Sequence, residues 1–212
     1  MVRHAAKHYG VKVLGVTLSL EQATWAQQEI KRQGLEDLAE VRFLDYRDVT
    51  ETGFDAISSL GLTEHIGVRN YNSYFTFMHD HVKAGGRILN HCITRPHNKA
   101  LSTGAFIDRY VFPDGELTGV GRITTAAQDA GLEVRHVENL REHYAMTLHG
   151  WSDNLVEHWD AVLEEVSVGR AQVWGLTMAG SRLAFHRHQD ALPPVLPAQP
   201  AGPARATTTH PT

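Results

Sequence analysis

The amino-acid sequence predicts an α/β fold with a mostly parallel sheet and helices on both of its faces. Three observations lead to this prediction. Short β-rich runs alternate with longer helical patterns from Gly10 onward, glycines and polar residues separate the runs, and 42% of the 212 residues are hydrophobic. A chain of this length and content can bury one substantial core. We therefore predict one domain over residues 1–189.

The predicted elements follow one another in regular order. Strands are predicted at 11–17, 41–44, 54–60, 87–93 and 133–137, and helices at 21–33, 71–82, 124–131 and 155–168. Ser19 is the candidate N-cap of the first long helix, and Gly34 is placed to end it. Beyond His188 the composition changes to proline, alanine and threonine, which predicts a disordered tail over 190–212.

The N-terminal ten residues have the pattern of the latter part of a helix that ends at Gly10. An open sheet of this class binds its nucleotide where the first strand turns into the first helix, and the sequence contains no GxGxxG for that turn. We therefore expect the first strand and its glycine loop to be missing, with Met1 a candidate misplaced start.

Charge and cysteine content narrow the possible partners and compartments. Twenty basic residues stand against 24 acidic ones, a formal net charge of -4 without the clustered basic excess of a nucleic-acid-binding protein. Cys92 is the single cysteine and cannot form an internal disulfide. No signal segment or long apolar run is present, which predicts a cytoplasmic protein with no transmembrane segment.

Histidine is unusually frequent, with 14 copies, and several occur in close pairs. The pairs are His4/His8, His79/His81 and His186/His188. A zinc or iron site needs three or four converging ligands, and no HExxH glutamate or cysteine pair accompanies these histidines. We predict no metal site.

Two groups of motifs carry a resemblance to a known family. The first group is TLSLEQ, which includes Thr17, Leu18, Ser19 and Gln22, and LDYRD, which includes Asp45 and Tyr46. The second group is FDAISSLGLTEHIG at 54–67, GGRILNHCIT at 85–94, FIDRYVFPDGEL at 106–117 and NLREHYAMTL at 139–148. In this order and spacing they resemble the cyclopropane-fatty-acyl-phospholipid synthases, which are S-adenosylmethionine-dependent methyltransferases.

The resemblance implies a class I methyltransferase-like fold and a set of site residues. Cofactor-binding roles fall on the six residues of the first group: Thr17, Leu18, Ser19, Gln22, Asp45 and Tyr46. Catalytic roles fall on Glu64, His91, Ile93 through its backbone carbonyl, and Tyr144, with bound bicarbonate as the base. Cys92 stands at a variable position and is expected to be buried filler rather than a nucleophile.

The reaction that the resemblance implies is methyl transfer to the double bond of an unsaturated acyl chain of a phospholipid. The product is a cyclopropane or a methyl-branched chain, formed at a membrane surface by a protein peripheral to the inner face. Two alternatives stay open: an inactive remnant or binding module of the same fold, and a methyltransferase for a small polar acceptor. Four aromatic residues are candidates either for substrate lining or for ordinary core, namely Tyr74, Phe75, Tyr110 and Phe112.

Overall fold

The computed structural model describes residues 1–187 and 194–200, and it divides the chain into two compact units, Met1–Glu51 and Thr52–Thr212. The sequence predicted one domain over 1–189, and that boundary stays a prediction. Each unit is an arrangement of helices on a sheet, as the alternating pattern predicted.

The first unit places two helices against a two-stranded parallel sheet. Its elements are α1 (Val2–Tyr9), β1 (Val13–Thr17), α2 (Leu20–Arg32) and β2 (Ala39–Phe43). Val13 pairs with Ala39 and Thr17 with Phe43, so the carboxyl ends of both strands lie at the same edge. A Cβ at Gly15 would lie 2.9 Å from the Val2 side chain, so only glycine lets the two segments approach this closely. The buried core of this unit is Ala6, Ala23, Ile30, Ala39 and Val41.

The second unit is built on a four-stranded mixed sheet in the order β3-β4-β8-β7. Its strands are β3 (Phe54–Leu60), β4 (Val82–His91), β7 (Glu133–Val137) and β8 (Pro194–Ala198), and a separate small pair joins β5 (Leu101–Ser102) to β6 (Glu116–Leu117). β3 runs parallel to β4, whereas β8 runs antiparallel to both β4 and β7. Three of the four strands therefore point the same way, which agrees with the predicted mostly parallel sheet.

Strand β8 corrects the prediction of a disordered tail over 190–212. The proline-rich composition predicted neither a helix nor a contribution to a core, yet Val195 pairs with Asn90 on one side and Val137 on the other. Val195 is 0% exposed, so burial between two strands stabilises a segment whose prolines cannot donate to the ladder. Residues 190–193 and 201–212 of the predicted tail lie outside the described residues.

The helices of the second unit correct the predicted helix at 155–168. The observed helices are α3 (Tyr71–His81), α4 (Ala105–Tyr110), α5 (Val120–Asp129), α6 (Arg141–Glu157), α7 (Trp159–Glu165) and α8 (Val168–His186). Val166 is extended with φ −139°, and the Ser167 hydroxyl accepts a hydrogen bond from the Arg170 N–H at 3.3 Å, which begins α8. The predicted helix thus covers the end of α6, all of α7 and the first residue of α8. Val156, which the predicted helix includes, is 75% exposed.

Within residues 1–187 and 194–200, no helix has the length and apolar character needed to cross a bilayer.

Candidate active site

The candidate site of the second unit lies where β3 and β4 end side by side. These strands are parallel, and the Gly61 N–H after β3 donates to the carbonyl of His91, the last residue of β4, at 2.8 Å. The segment that follows β3 then carries Glu64, and the segment that follows β4 carries Ile93. Strand direction alone therefore brings two distant motifs to one edge of the sheet, where α/β proteins bind ligands.

Glu64 is a buried carboxyl group that is held by the backbone. Glu64 is only 7% exposed, and its Oε1 accepts a hydrogen bond from the Ile93 N–H at 2.7 Å. Its Oε2 lies 3.4 Å from the Thr63 hydroxyl. The Glu116 N–H donates to the Glu64 carbonyl at 2.9 Å, which fixes the main chain beneath the side chain.

Burial sets the protonation of Glu64. Removal from water raises the pKa of the Glu64 carboxyl, and the hydrogen bond from the Ile93 N–H opposes part of that rise. Burial of Tyr144 is the main cause that raises the pKa of its hydroxyl, and the negative charge of Glu64 is the second cause. Glu64 therefore retains its proton to a higher pH than an exposed glutamate, and it lies within electrostatic range of Tyr144.

Tyr144 and Ile93 share one apolar surface. Both pack against a cluster of Ala145, Leu148 and Phe185, and the rings of Tyr144 and Phe185 are T-shaped with centroids 4.9 Å apart. The structure thus brings together Glu64, Ile93 and Tyr144, which lie on three separate motifs. It shows the N–H of Ile93 in use, whereas the predicted role of its carbonyl stays a prediction.

His91 is half-buried at the end of β4, and burial lowers the pKa of its imidazole. Its ring is therefore neutral at neutral pH. Among the described residues, no hydrogen bond joins this ring to Glu64, so its assignment to the catalytic group stays a prediction.

The predicted cofactor residues of the first unit lie together after β1 and β2. The Thr17 hydroxyl lies 3.0 Å from Gln22 Oε1, and the Ser19 hydroxyl caps α2 by accepting from the Gln22 N–H at 3.2 Å. The Leu44 N–H donates to the Thr17 carbonyl at 3.1 Å, which ties the ends of the two strands to each other. Leu18 is 69% exposed beside this polar group.

Asp45 and Tyr46 complete this edge. The Arg47 guanidinium holds both Asp45 oxygens, at 2.9 and 2.6 Å, and these hydrogen bonds lower the pKa of Asp45. Tyr46 is half-buried, and burial raises the pKa of its hydroxyl. The edge therefore offers an ionised carboxylate, a hydroxyl and an amide beside apolar surface.

The structure separates the four candidate lining aromatics into two pairs. Tyr74 and Phe75 are 1% and 0% exposed and belong to the core, where the Tyr74 hydroxyl donates to Asn90 Oδ1 at 2.8 Å. Tyr110 and Phe112 are 53% and 42% exposed. The ring of Phe112 contacts Trp174 on α8, with centroids 6.2 Å apart.

Thr63 is a site residue that sequence reasoning missed. It is 1% exposed and adjoins both Glu64 and Cys92. A buried hydroxyl next to the predicted catalytic glutamate was the available signal. Cys92 itself is 1% exposed, and burial raises its pKa to about 12, so it is a protonated thiol with no nucleophilic character.

Two of the three histidine pairs, His4/His8 and His79/His81, lie within the described residues, whereas His188 of the third pair lies outside them. The rings of His4 and His8 lie 4.4 Å apart on α1. Within residues 1–187 and 194–200, no group of three or more histidine, cysteine, aspartate or glutamate side chains could hold a metal ion.

The helices on a mixed sheet, with both sets of residues at carboxyl strand ends, define the class I S-adenosylmethionine-dependent methyltransferase fold. A solved mycolic acid cyclopropane synthase CmaA1, complexed with SAH and CTAB, shares this fold with a TM-score of 0.81 and 26% sequence identity, over 92% of this chain and 73% of that one. The model of the mycolic acid cyclopropane synthetase family matches residues 1–192, and the chain belongs to that family.

Two curated relatives support the same assignment. A probable fatty acid methyltransferase of Mycobacterium tuberculosis is 61% identical over 197 residues, covering 92% of this chain and 46% of that protein. A probable fatty acid methyltransferase of Pseudomonas putida is 40% identical over 205 residues, covering 94% and 52%. The chain spans about half the length of these curated relatives.

Proposed function

We propose that the protein transfers a one-carbon group from S-adenosylmethionine to the double bond of an unsaturated acyl chain of a phospholipid, giving a cyclopropane or methyl-branched chain. The observation that carries the proposal is the buried Glu64 carboxyl, which is held by the Ile93 N–H and lies close to Tyr144. Family membership and the names of the two fatty acid methyltransferases support the class of reaction and of substrate.

The residues at the edge of the first unit fit the ribose and adenine of S-adenosylmethionine. Asp45 can accept hydrogen bonds, Thr17 and Gln22 can donate and accept them, and Leu18 and Tyr46 offer apolar surface to a flat ring. Arg47 is 72% exposed, so it can turn away and free an Asp45 oxygen for the ligand. When bound, S-adenosylmethionine would supply an electrophilic methyl group.

The residues around Glu64 fit a bound bicarbonate. A protonated Glu64 can donate a hydrogen bond to an anion, and burial favours that protonated form. Tyr144 can donate through its hydroxyl and a neutral His91 through its ring N–H. We assign these three side chains and the Ile93 backbone to holding the anion that accepts a proton from the substrate.

The acyl chain is assigned to the aromatic surface formed by residues 106–117 and α8. Phe112 lies between His65 and Trp174, with ring centroids 5.3 and 6.2 Å away, and is 42% exposed. An apolar chain that covers these rings gains burial of their remaining exposed area. We place this contact at the inner face of the membrane, where a cytoplasmic protein meets phospholipid.

Calorimetric titration with S-adenosylmethionine tests the cofactor site. The parent chain and Glu64→Gln should bind with micromolar affinity, because Glu64 is not among the proposed cofactor residues. Gln22→Ala should bind at least about tenfold more weakly, the loss of about 1.4 kcal/mol expected for a hydrogen-bonding side chain. No binding by the parent chain would refute the cofactor assignment and favour a remnant or binding module.

Mass analysis of phospholipid acyl chains from expressing cells tests the reaction. The parent should add one methylene to unsaturated chains if it makes a cyclopropane. A saturated methyl-branched product carries two hydrogens more, because the proton is retained and a hydride from an external reductant in the cell is added. Glu64→Gln should add neither while it still binds the cofactor. Cofactor binding with no change in acyl mass would contradict the lipid assignment and favour a small polar acceptor.

A further inference from the structure

A chain of buried polar side chains leads from the core of the second unit to Glu64. Its members are Tyr74, Asn90, Cys92 and Thr63, each 1% exposed or less. They come from α3, from β4 and the residue after its end, and from the segment after β3. Polar groups at such depth are costly unless they are hydrogen-bonded, so their alignment calls for a physical account.

The contacts along this chain are continuous. The Tyr74 hydroxyl donates to Asn90 Oδ1 at 2.8 Å, which leaves the Asn90 amide N–H directed at Cys92 Sγ, 3.5 Å away. The Thr63 hydroxyl acts on the Cys92 thiol as a hydrogen-bonding group that lowers its pKa, and that hydroxyl lies 3.4 Å from Glu64 Oε2. The Tyr71 hydroxyl donates to the Thr63 carbonyl at 3.2 Å, which fixes the Thr63 backbone.

Thr63 faces two acceptors with a single hydroxyl proton. A hydroxyl donates one hydrogen bond and can accept others, so its proton can serve Glu64 or Cys92 but not both. Ionised Glu64 is the stronger acceptor, because hydrogen bonds to a charged group are the stronger ones. When Glu64 is protonated it can instead donate to Thr63, and the threonine proton is then available to the sulfur.

Within the described part of the chain, no cationic group contributes to the pKa shift of Glu64. The negative charge of Glu64 raises the pKa of three neighbouring groups, namely Cys92, Tyr71 and Tyr144. Each of these groups is neutral when it is protonated. Glu116 adds a further carboxylate on the side of Tyr71. The hydroxyl of Thr63 is thus the side-chain donor to the Glu64 carboxylate, beside the N–H of Ile93.

We propose that Thr63 is a positioning residue whose hydroxyl proton turns to Glu64 when Glu64 is ionised and to the Cys92 sulfur when Glu64 is protonated. Asn90 and Tyr74 hold the sulfur end of this arrangement in place. The catalytic importance of the switch rests on the function proposed for Glu64, but the hydrogen-bond exchange itself does not.

Carbon-13 NMR of the glutamate side chains measures the first consequence. The titration midpoint of Glu64, assigned by the signal that Glu64→Gln removes, should rise by about half to one pH unit in Thr63→Val, since the ionised form loses a donor. Thr63→Ser keeps the hydroxyl and should restore the parent midpoint. An unchanged midpoint in Thr63→Val, or equal shifts in both variants, would overturn the proposal.

Infrared spectroscopy of the unaltered chain provides a second test that needs no Thr63 variant. Cys92 is the single cysteine, so the S–H stretching band belongs to it alone. This band should change frequency as the pH passes the Glu64 midpoint and stay constant in Glu64→Gln. A band that is constant in the parent overturns the proposal. Neither measurement needs cofactor, lipid or turnover, so an inactive chain would refute the proposed function without affecting this result.

Discussion

Replacement of Glu64 by glutamine should stabilise the protein at alkaline pH and leave it nearly unchanged at acidic pH. The pKa of Glu64 is raised by burial above its ordinary value of 4.5. Below that value the folded and unfolded states both hold the proton, and Glu64 costs nothing. Between that value and the higher pKa of the folded state, the unfolded state releases this proton while the folded state retains it. The free energy of unfolding therefore falls by about 1.4 kcal/mol per pH unit until the pH has risen through the folded pKa.

Glu64→Gln removes this titration and keeps the local hydrogen bonds. The glutamine Oε1 can still accept from the Ile93 N–H, which Glu64 accepts at 2.7 Å, and its amide can donate to Thr63. Glu64→Ala is the matched contrast, because it leaves the Ile93 N–H without its acceptor. Glu64→Ala should therefore be about 1–3 kcal/mol less stable than Glu64→Gln at every pH.

Urea unfolding followed by tryptophan fluorescence measures both effects. Trp25 lies in the first unit, and the other three tryptophans lie in the second, so a Trp25→Phe background makes the signal specific to the unit that holds Glu64. Relative to Glu64→Gln, the parent should lose stability as the pH rises above 4.5, until the pH has passed the raised pKa of Glu64. Parallel pH dependence in the two proteins would refute the reasoning, as would equal stability of Glu64→Ala and Glu64→Gln near pH 5.

Three further predictions concern other contacts. Ser19→Ala removes the N-cap of α2 and should lower the free energy of unfolding by about 1 kcal/mol, whereas Ser19→Thr should retain most of the stability. Urea unfolding followed by Trp25 fluorescence measures both variants. Asp45→Asn should change stability by less than about 1 kcal/mol, because its ion-pair partner is exposed, yet should weaken S-adenosylmethionine binding in calorimetry. Tyr74→Phe leaves Asn90 short of a buried partner and should lower the free energy of unfolding by about 1–3 kcal/mol; an unchanged value would show that Asn90 finds another donor.

The elements with strong local signals were predictable from the sequence. The strand at 54–60 and the strand at 133–137 have the predicted bounds, and α2 begins after Ser19, whose hydroxyl caps it. In each case the pattern within a few residues determines the structure. One failure has a tertiary cause and the other a local one. Strand β8 depends on distant partners, since Val195 pairs with Asn90, 105 residues away, and with Val137, 58 residues away. The break at Val166 depends on a helix cap that the apolar periodicity conceals.

The candidate site was predictable in composition but not in its internal contacts. The motifs indicated Glu64, Ile93 and Tyr144, and the structure brings these three together. Which Ile93 backbone group meets Glu64, and the presence of Thr63 beside it, depend on how the segments after β3 and β4 turn. No local pattern in the sequence encodes that geometry, since it arises only when parallel strands align.

The position of β8 between β4 and β7 also governs the order of assembly. Parallel strands β3 and β4 can pair early, but the edges of β4 and β7 stay open until a segment about one hundred residues beyond β4 arrives to join them. Closing so long a loop is slow, because its entropy is lost before the strand contacts compensate. A ribosome that has not yet released residues 194–198 therefore holds a nascent chain with two unpaired strand edges, and such edges are sites of aggregation.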